Sequence, residues 1–231
     1  MKATSHGESL IQLTRLGTVN SYLVREPDGF TLVDTGLGGS AKALLAAAEE
    51  RGMPIMRIVL THAHGDHVGS LDKLAAALPD AEVSIGGRDA KLMAGDKQLE
   101  PGEPQAKLSG SYPKVETRPT RTLEPGDRVG SLETVASPGH TPGHVAYLDT
   151  RDRTLIAGDA FQTKGGIAVC GVIRPLFPLP AIATWHKPTA LESARALRAL
   201  DPSRLAVGHG RVLESPGAEM DSAIRVAEKR F

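Results

Sequence analysis

Three of the chain's eight histidines fall within six residues, in His62-Ala63-His64-Gly65-Asp66-His67. They follow directly on a short apolar β run, Ile55 to Thr61. A strand that ends in imidazoles and a carboxylate has to end at the rim of a sheet, where such side chains meet one another and solvent, and loops there commonly build sites. In an extended segment His62 and His64 share a side, because side chains alternate. Beyond them Gly65 lets the backbone turn. The first pair can therefore grip one ion, while Asp66 and His67 face a neighbouring one. Imidazole and carboxylate are donors suited to zinc, with iron or manganese as alternatives.

One loop offers too few ligands for such ions, and three further strand ends supply candidates. Ser137-Pro138-Gly139-His140-Thr141-Pro142-Gly143-His144 has two Pro-Gly pairs that make a rigid turn around His140. Ile156-Ala157-Gly158-Asp159 ends an apolar run in a carboxylate, and Leu205-Ala206-Val207-Gly208-His209-Gly210 sets His209 between glycines. Each pattern alone is weak, since a Gly-Asp after a strand is commonly just a turn. Three in one chain, together with the cluster, point to a metal centre. Pro142 and Gly143 argue against a helix carrying His140 and His144 on one face, so His144 reads as a strand-start residue beside the site. His186 reads as a surface or packing residue, His6 as part of a frayed start, and Cys170 as a small buried residue.

The remaining chain reads as alternating strands and helices. Strands are expected over Leu10 to Leu16, Val19 to Arg25, Phe30 to Val33, Glu82 to Ile85, Val129 to Ala136, Val145 to Asp149, Thr154 to Ala157 and Leu205 to Val207. Pro27-Asp28-Gly29 signals the turn of a hairpin. Helices are expected over Ala41 to Arg51 with Ser40 as N-cap, Gly69 to Leu78, Gly87 to Met93, Thr189 to Leu200 and Ser215 to Arg230. Gly95 to Thr120, with four prolines, and Phe161 to Thr184 lack periodicity. Long irregular stretches inside a compact chain are usually functional, so these two are candidate pocket walls. No linker or repeat divides residues 1–231, which implies one domain.

Composition excludes several function classes. Lys plus Arg equals Asp plus Glu at 27 each, so nothing draws the chain as a whole to nucleic acid or to an anionic membrane. No run approaches a membrane span of about 20 apolar residues, and Met1 to Gln12 lacks the core of a signal peptide. With Cys170 the only cysteine, no intrachain disulfide can form. A cytoplasmic protein with a small-molecule substrate is the expectation; the oligomeric state is open.

The order HAHGDH, His140, Asp159, His209, running from Asp34-Thr35-Gly36 to His209, resembles the metallo-β-lactamase-fold hydrolases. The resemblance implies an α/β fold of a particular kind, a four-layer αβ/βα sandwich with its site at one edge. It implies two zinc ions: one held by His62, His64 and His140, the other by Asp66, His67 and His209. Asp159 would bridge them and Asp34 would support the site from behind. The chemistry it implies is hydrolysis by a metal-bridging hydroxide, with Asp66 orienting that group and passing a proton to the leaving group.

Substrate follows less directly. β-Lactamase members usually lack the bridging aspartate that Asp159 supplies here. Glyoxalase II members add a C-terminal helical extension, whereas only enough chain for one helix follows His209. Lactonases acting on acyl-homoserine lactones carry a tyrosine where this chain has Gln162. RNA-processing members carry an exosite arm or an inserted domain, and flavodiiron members a glutamate in place of His64. The expectation is an ester, lactone or thioester of a small apolar acid, the apolar run Ala168 to Ile182 forming a pocket wall. A mononuclear iron persulfide dioxygenase and a β-lactamase-type amide hydrolase are the alternatives.

Overall fold

The computed structural model describes residues 1–231. Its first half forms β1 (Lys2–His6), β2 (Leu10–Arg15), β3 (Val19–Glu26), β4 (Gly29–Val33), α1 (Ala41–Glu49), β5 (Ile55–Leu60), α2 (Gly65–Val68), α3 (Leu71–Ala77), β6 (Glu82–Gly86) and α4 (Gly87–Met93). The second half forms β7 (Arg121–Leu123), β8 (Arg128–Val129), β9 (Leu132–Ala136), β10 (Val145–Asp149), β11 (Thr154–Ile156), β12 (Phe161–Gln162), β13 (Ala168–Val169), α5 (Leu179–Ile182), α6 (Lys187–Ala199), β14 (Arg204–Ala206), β15 (Leu213–Glu214) and α7 (Gly217–Glu228). Strands β1 to β7 lie in sequence order in one seven-stranded sheet, and a six-stranded sheet runs β15-β14-β11-β10-β9-β8.

Strand alternation explains the layers. On β3, Tyr22 and Val24 face one way and Leu23 the other; on β10, Val145 and Tyr147 oppose Ala146 and Leu148. One set meets between the sheets, where Tyr22, Val33, Val59, Leu132, Tyr147 and Ile156 form a shared core. Outside the first sheet, Leu23, Leu32 and Ile58 pack on Leu44 of α1, Leu71 and Leu74 of α3 and Leu92 of α4. Outside the second, Leu148 and Leu155 pack on Ala194 and Leu197 of α6 and Met220 and Ile224 of α7. The result is the four-layer αβ/βα sandwich.

Several local expectations change. The histidine cluster is not all loop: α2 begins at Gly65, and a second short helix, α3, follows in place of one helix from Gly69. Ser40 has helical dihedrals and caps nothing; its hydroxyl donates to the Leu37 carbonyl and accepts from Arg15. His186 is the true N-cap of α6, accepting from the Thr189 N–H, so that helix starts two residues early. Gly130 and Ser131 break the expected single strand Val129 to Ala136 into the β8–β9 hairpin. His6 lies in a paired strand and hydrogen-bonds Gln12 at 3.2 Å. The short strands β1, β7 and β15 carry too little pattern to be read before the sheet supplies their partners.

Two buried tyrosines fasten the sheets together just short of the cluster. Tyr147 of β10 donates to the Leu60 carbonyl at 2.8 Å, one residue before Thr61-His62. Tyr22 of β3 donates to the Val207 carbonyl at 2.6 Å and accepts the Val207 N–H, two residues before His209. Tyr147→Phe removes one bond and leaves a buried carbonyl short of a partner. Denaturant unfolding is expected to show a loss of about 1–3 kcal/mol; no measurable loss would mean the bond contributes nothing net.

Candidate metal centre

The side chains at issue leave the C-terminal ends of five strands: Asp34 after β4, the HAHGDH segment after β5, His140 after β9, Asp159 after β11 and His209 after β14. Backbone bonds lock these ends to each other. The Thr35 N–H donates to the His67 carbonyl at 2.7 Å, Gly208 N–H to Gly158 at 2.8 Å, and Val145 N–H to Thr61 at 2.9 Å. Gly208 is required by closeness, because a Cβ there would overlap the Asp159 carboxylate.

The fold brings together all seven residues singled out from the sequence. Donor atoms of His62, His64 and His140 lie within 4.8 Å of one another, as do those of Asp66, His67 and His209. Asp159 lies between the two groups. Its Oδ1 is 3.4 Å from His67 Nε2, and its Oδ2 is 3.4 Å from His140 Nε2 and 3.1 Å from His209 Nε2. Six of the seven are buried and Asp66 is half-buried.

Each histidine spends one nitrogen on the protein and turns the other inward. His67 Nδ1–H donates to Asp34 Oδ2 at 2.7 Å. Thr61 donates its hydroxyl proton to Asp34, so His62 Nδ1–H donates to Thr61 Oγ1 at 3.0 Å. His140 Nδ1–H donates to Thr184 Oγ1 at 3.3 Å, and that hydroxyl donates onward to the Pro180 carbonyl. His209 Nδ1–H donates to the Thr18 carbonyl. His64 is reversed: its Nε2–H donates to the Ser109 carbonyl at 3.0 Å, leaving Nδ1 inward. The tautomers are thereby set for lone pairs pointing at common centres, which is how metal-ligating histidines are held. The buried atoms His62 Nε2, His67 Nε2 and Asp159 Oδ1 have no hydrogen-bond partner. Unpaired buried polar atoms are costly, and cations at the two groups would satisfy all three. The donor set, five imidazoles and two carboxylates, fits zinc, iron or manganese.

Electrostatics divide the two groups. Burial pushes His62 and His140 well down and His64 to about 4, which keeps these imidazoles neutral. Burial is also the largest influence on His67 and His209 and opposes their charge, but there the neighbouring carboxylates together outweigh it, Asp159, Asp34 and Asp66 raising His67 well up and Asp159 and Asp66 raising His209 to about 9. Protons thus occupy, at neutral pH, positions where a cation would serve.

Asp89 and His144 matter more than their sequence context signals. Asp89 is fully buried on α4 and accepts from the Ala63 N–H, the Thr141 hydroxyl and the Gly143 N–H, each at 2.8 Å. One carboxylate therefore joins the His62–His64 segment to the His140 turn. His144 accepts the Asp159 N–H at its Nε2 and bonds Ser137 through Nδ1, holding the Asp159 backbone rather than facing the cluster. A lone Asp in a short helix has no spacing that marks it, which is why Asp89 escapes a reading of the sequence.

The centre opens into a cavity of ≈310 Å³ lined by His64, Asp66, His140, Asp159 and His209. Gly110 and Ser111 from one irregular stretch, and Leu179, Pro180, Ile182 and Ala183 from the other, complete the wall. A larger cleft of ≈740 Å³ is lined by His144 but by none of the seven cluster residues.

The metallo-beta-lactamase superfamily model matches residues 14–209. The chain belongs to that superfamily. Among its relatives, the uncharacterized protein YobT of Bacillus subtilis is 49% identical over 99% of this chain and 100% of its own length. A hydroxyacylglutathione hydrolase of Rhodopseudomonas palustris is 31% identical over 81% of this chain but only 61% of its own. A solved structure described as a di-iron-bound form is 29% identical with a TM-score of 0.65, covering 89% of this chain and 94% of that one. The superfamily is one of metal-dependent hydrolases, and the cluster in this member has the donors to bind metal. No helix is long and apolar enough to cross a membrane.

Two outcomes follow. Asp89→Ala should lower metal affinity or kcat/KM by about 10–100-fold, the usual cost of removing a group that holds ligands in place, with Asp89→Asn intermediate; metal titration of both variants checks this. Because His209 is protonated below about 9 in the metal-free chain, cation binding at Asp66, His67 and His209 must release a proton. Binding isotherms are expected to show that group losing affinity first as pH falls, with the His62, His64 and His140 group holding to lower pH.

Proposed function

We propose that the chain is a dinuclear hydrolase, zinc being the expected metal, that cleaves an ester, lactone or thioester of an apolar acid. The observation that carries this reading is Asp159, which presents one oxygen to His67 and the other to His140 and His209. A single carboxylate reaching two donor groups suits two cations, whose mutual repulsion its charge offsets. His62, His64 and His140 would hold one ion, Asp66, His67 and His209 the other, with Asp159 shared. When bound, such ions supply Lewis acidity, polarising a carbonyl and lowering the pKa of a water to about 7.

The protein's own groups do the rest. Asp66 lines the cavity with its Oδ2 3.2 Å from His209 Nε2. The charges of His67 and His209 overcome the effect of burial and keep its carboxyl well below the usual range. An ionised carboxylate at that place can orient a water and carry its proton to the leaving group. Cys170 is no rival nucleophile, since burial pushes its thiol up to about 12. The hydroxyacylglutathione hydrolase relative, named for hydrolysing an acyl-glutathione, supports thioesters among the candidates. The di-iron-bound relative keeps iron beside zinc as a candidate metal.

The test is metal content measured with kcat/KM across esters, thioesters, lactones, a β-lactam and a persulfide. Two metals per chain and acyl hydrolysis are expected. Asp159→Ala should hold at most one metal and lose at least about 100-fold in kcat/KM, since even outer partners of a metal site cost 10–100-fold. A single tightly held iron with persulfide oxidation would replace this reading by a dioxygenase. Two metals and normal turnover in Asp159→Ala would reduce that residue to a turn.

A further inference from the structure

From Pro175 to Trp185 the chain carries no charged side chain. Within that run Leu176, Leu179 and Ile182 recur every third residue and stand 85%, 63% and 63% exposed. Exposed large apolar side chains in a contiguous strip mark an interaction site rather than ordinary surface. Leu179 and Ile182 also line the cavity that contains His64, Asp66, His140, Asp159 and His209. The strip therefore begins at the metal centre and runs outward from it.

It is also fastened to that centre at two points. Thr184 Oγ1 accepts from His140 and donates to the Pro180 carbonyl at 2.8 Å, tying α5 to one donor group. Gln162 Nε2 donates to the Phe177 carbonyl at 3.2 Å, and the Phe177 ring lies 5.1 Å from the His209 ring, tying the strip to the other. Pro175, Pro178 and Pro180 stiffen the backbone between these ties. A preformed apolar surface costs a ligand little to use.

We infer that this strip is the seat of the substrate's acyl chain, and that the chain is a straight, uncharged alkyl chain of medium length. The inference rests on the acyl-hydrolase reading above. The acyl carbonyl lies at the cluster and the alkyl tail runs over Leu179 and Ile182 toward Leu176. A cavity of ≈310 Å³ has room for roughly ten non-hydrogen atoms at about 30 Å³ each. The two ions, the reacting group and a water take about six of these, so a tail outgrows the cavity after roughly four carbons and continues on the strip. In the reaction the water oxygen bonds to the acyl carbon, the bond to the alcohol or thiol breaks, and the leaving group takes up a proton. The tail is untouched by that chemistry and contributes only burial. Nothing in the strip could pair with the carboxylates of a polar acid.

The experiment measures kcat/KM for p-nitrophenyl esters from acetyl to dodecanoyl on the metal-loaded protein. Calorimetric binding of straight-chain carboxylates from acetate to decanoate is measured alongside. Selectivity is expected to rise two- to fourfold per methylene until the strip is covered, fourfold being full burial at about 0.8 kcal/mol per CH₂. In the double variant Leu176→Ser, Leu179→Ser that slope should fall to nearly nothing beyond roughly four carbons. Metal content and melting temperature should stay at the wild-type level, because both side chains are exposed. If no ester is cleaved at any length but carboxylate affinity still climbs and the variant flattens it, the acyl seat stands and the hydrolase reading falls. A flat dependence in the wild-type protein, or an equal slope in the variant, overturns the inference. So does a stable dimer that the variant splits, since a second copy would then cover the strip.

Discussion

Burial of the Asp159 carboxylate among imidazoles is the constraint on which the rest of the molecule depends. A buried charge is tolerated only when it is paired, and this one lies within 3.4 Å of His67, His140 and His209. Those partners come from three strand ends in two different sheets, so the sandwich must be assembled for the charge to be paired at all. The requirement runs both ways. The backbone bonds Gly208 to Gly158 and Thr35 to His67 close the edge of the sandwich just where the charge needs it closed.

Around that charge the protein controls orientation more than position. Asp34, Thr61, Thr184, Ser109 and Thr18 each occupy one nitrogen of a histidine, which decides the nitrogen that faces inward. Asp34 does this from an unfavourable backbone conformation, with φ of 60° in a non-glycine residue. Strain of that kind persists where surrounding structure over-determines it and clusters at functional sites. Here the Thr61 N–H, the Thr61 hydroxyl and His67 all converge on its carboxylate. Asp89 plays the same part on the other side, holding two loops by their backbones, and the tyrosines 22 and 147 hold the strands that feed them.

The two irregular stretches have a shared logic. Each supplies one bond to an inward-facing histidine, through the Ser109 carbonyl or the Thr184 hydroxyl, and each then forms wall. Gly110 presses against His64 so closely that a Cβ would collide with the ring. In each, the residue that bonds a histidine adjoins the wall in sequence: Ser109 precedes Gly110 and Ser111, and Thr184 follows Ala183 just past α5.

The sequence by itself determined the donor inventory and its grouping by strand end. His62, His64, Asp66, His67, His140, Asp159 and His209 each follow an apolar run or sit in a rigid turn, and that local pattern survives without tertiary information. It also determined most strands and helices, since alternation and capping are local. The reach of Asp89 to both Ala63 and Gly143, the tautomer of each histidine, the capping of α6 by His186, the lack of a side-chain cap from Ser40 on α1 and the pairing of β1, β7 and β15 were decided only by the tertiary structure. The physical reason is range. A hydrogen bond between residues 26 or 54 apart in sequence leaves no periodicity to read. The charge of Asp159 acts on His67 and His209 only once folding has removed the water between them.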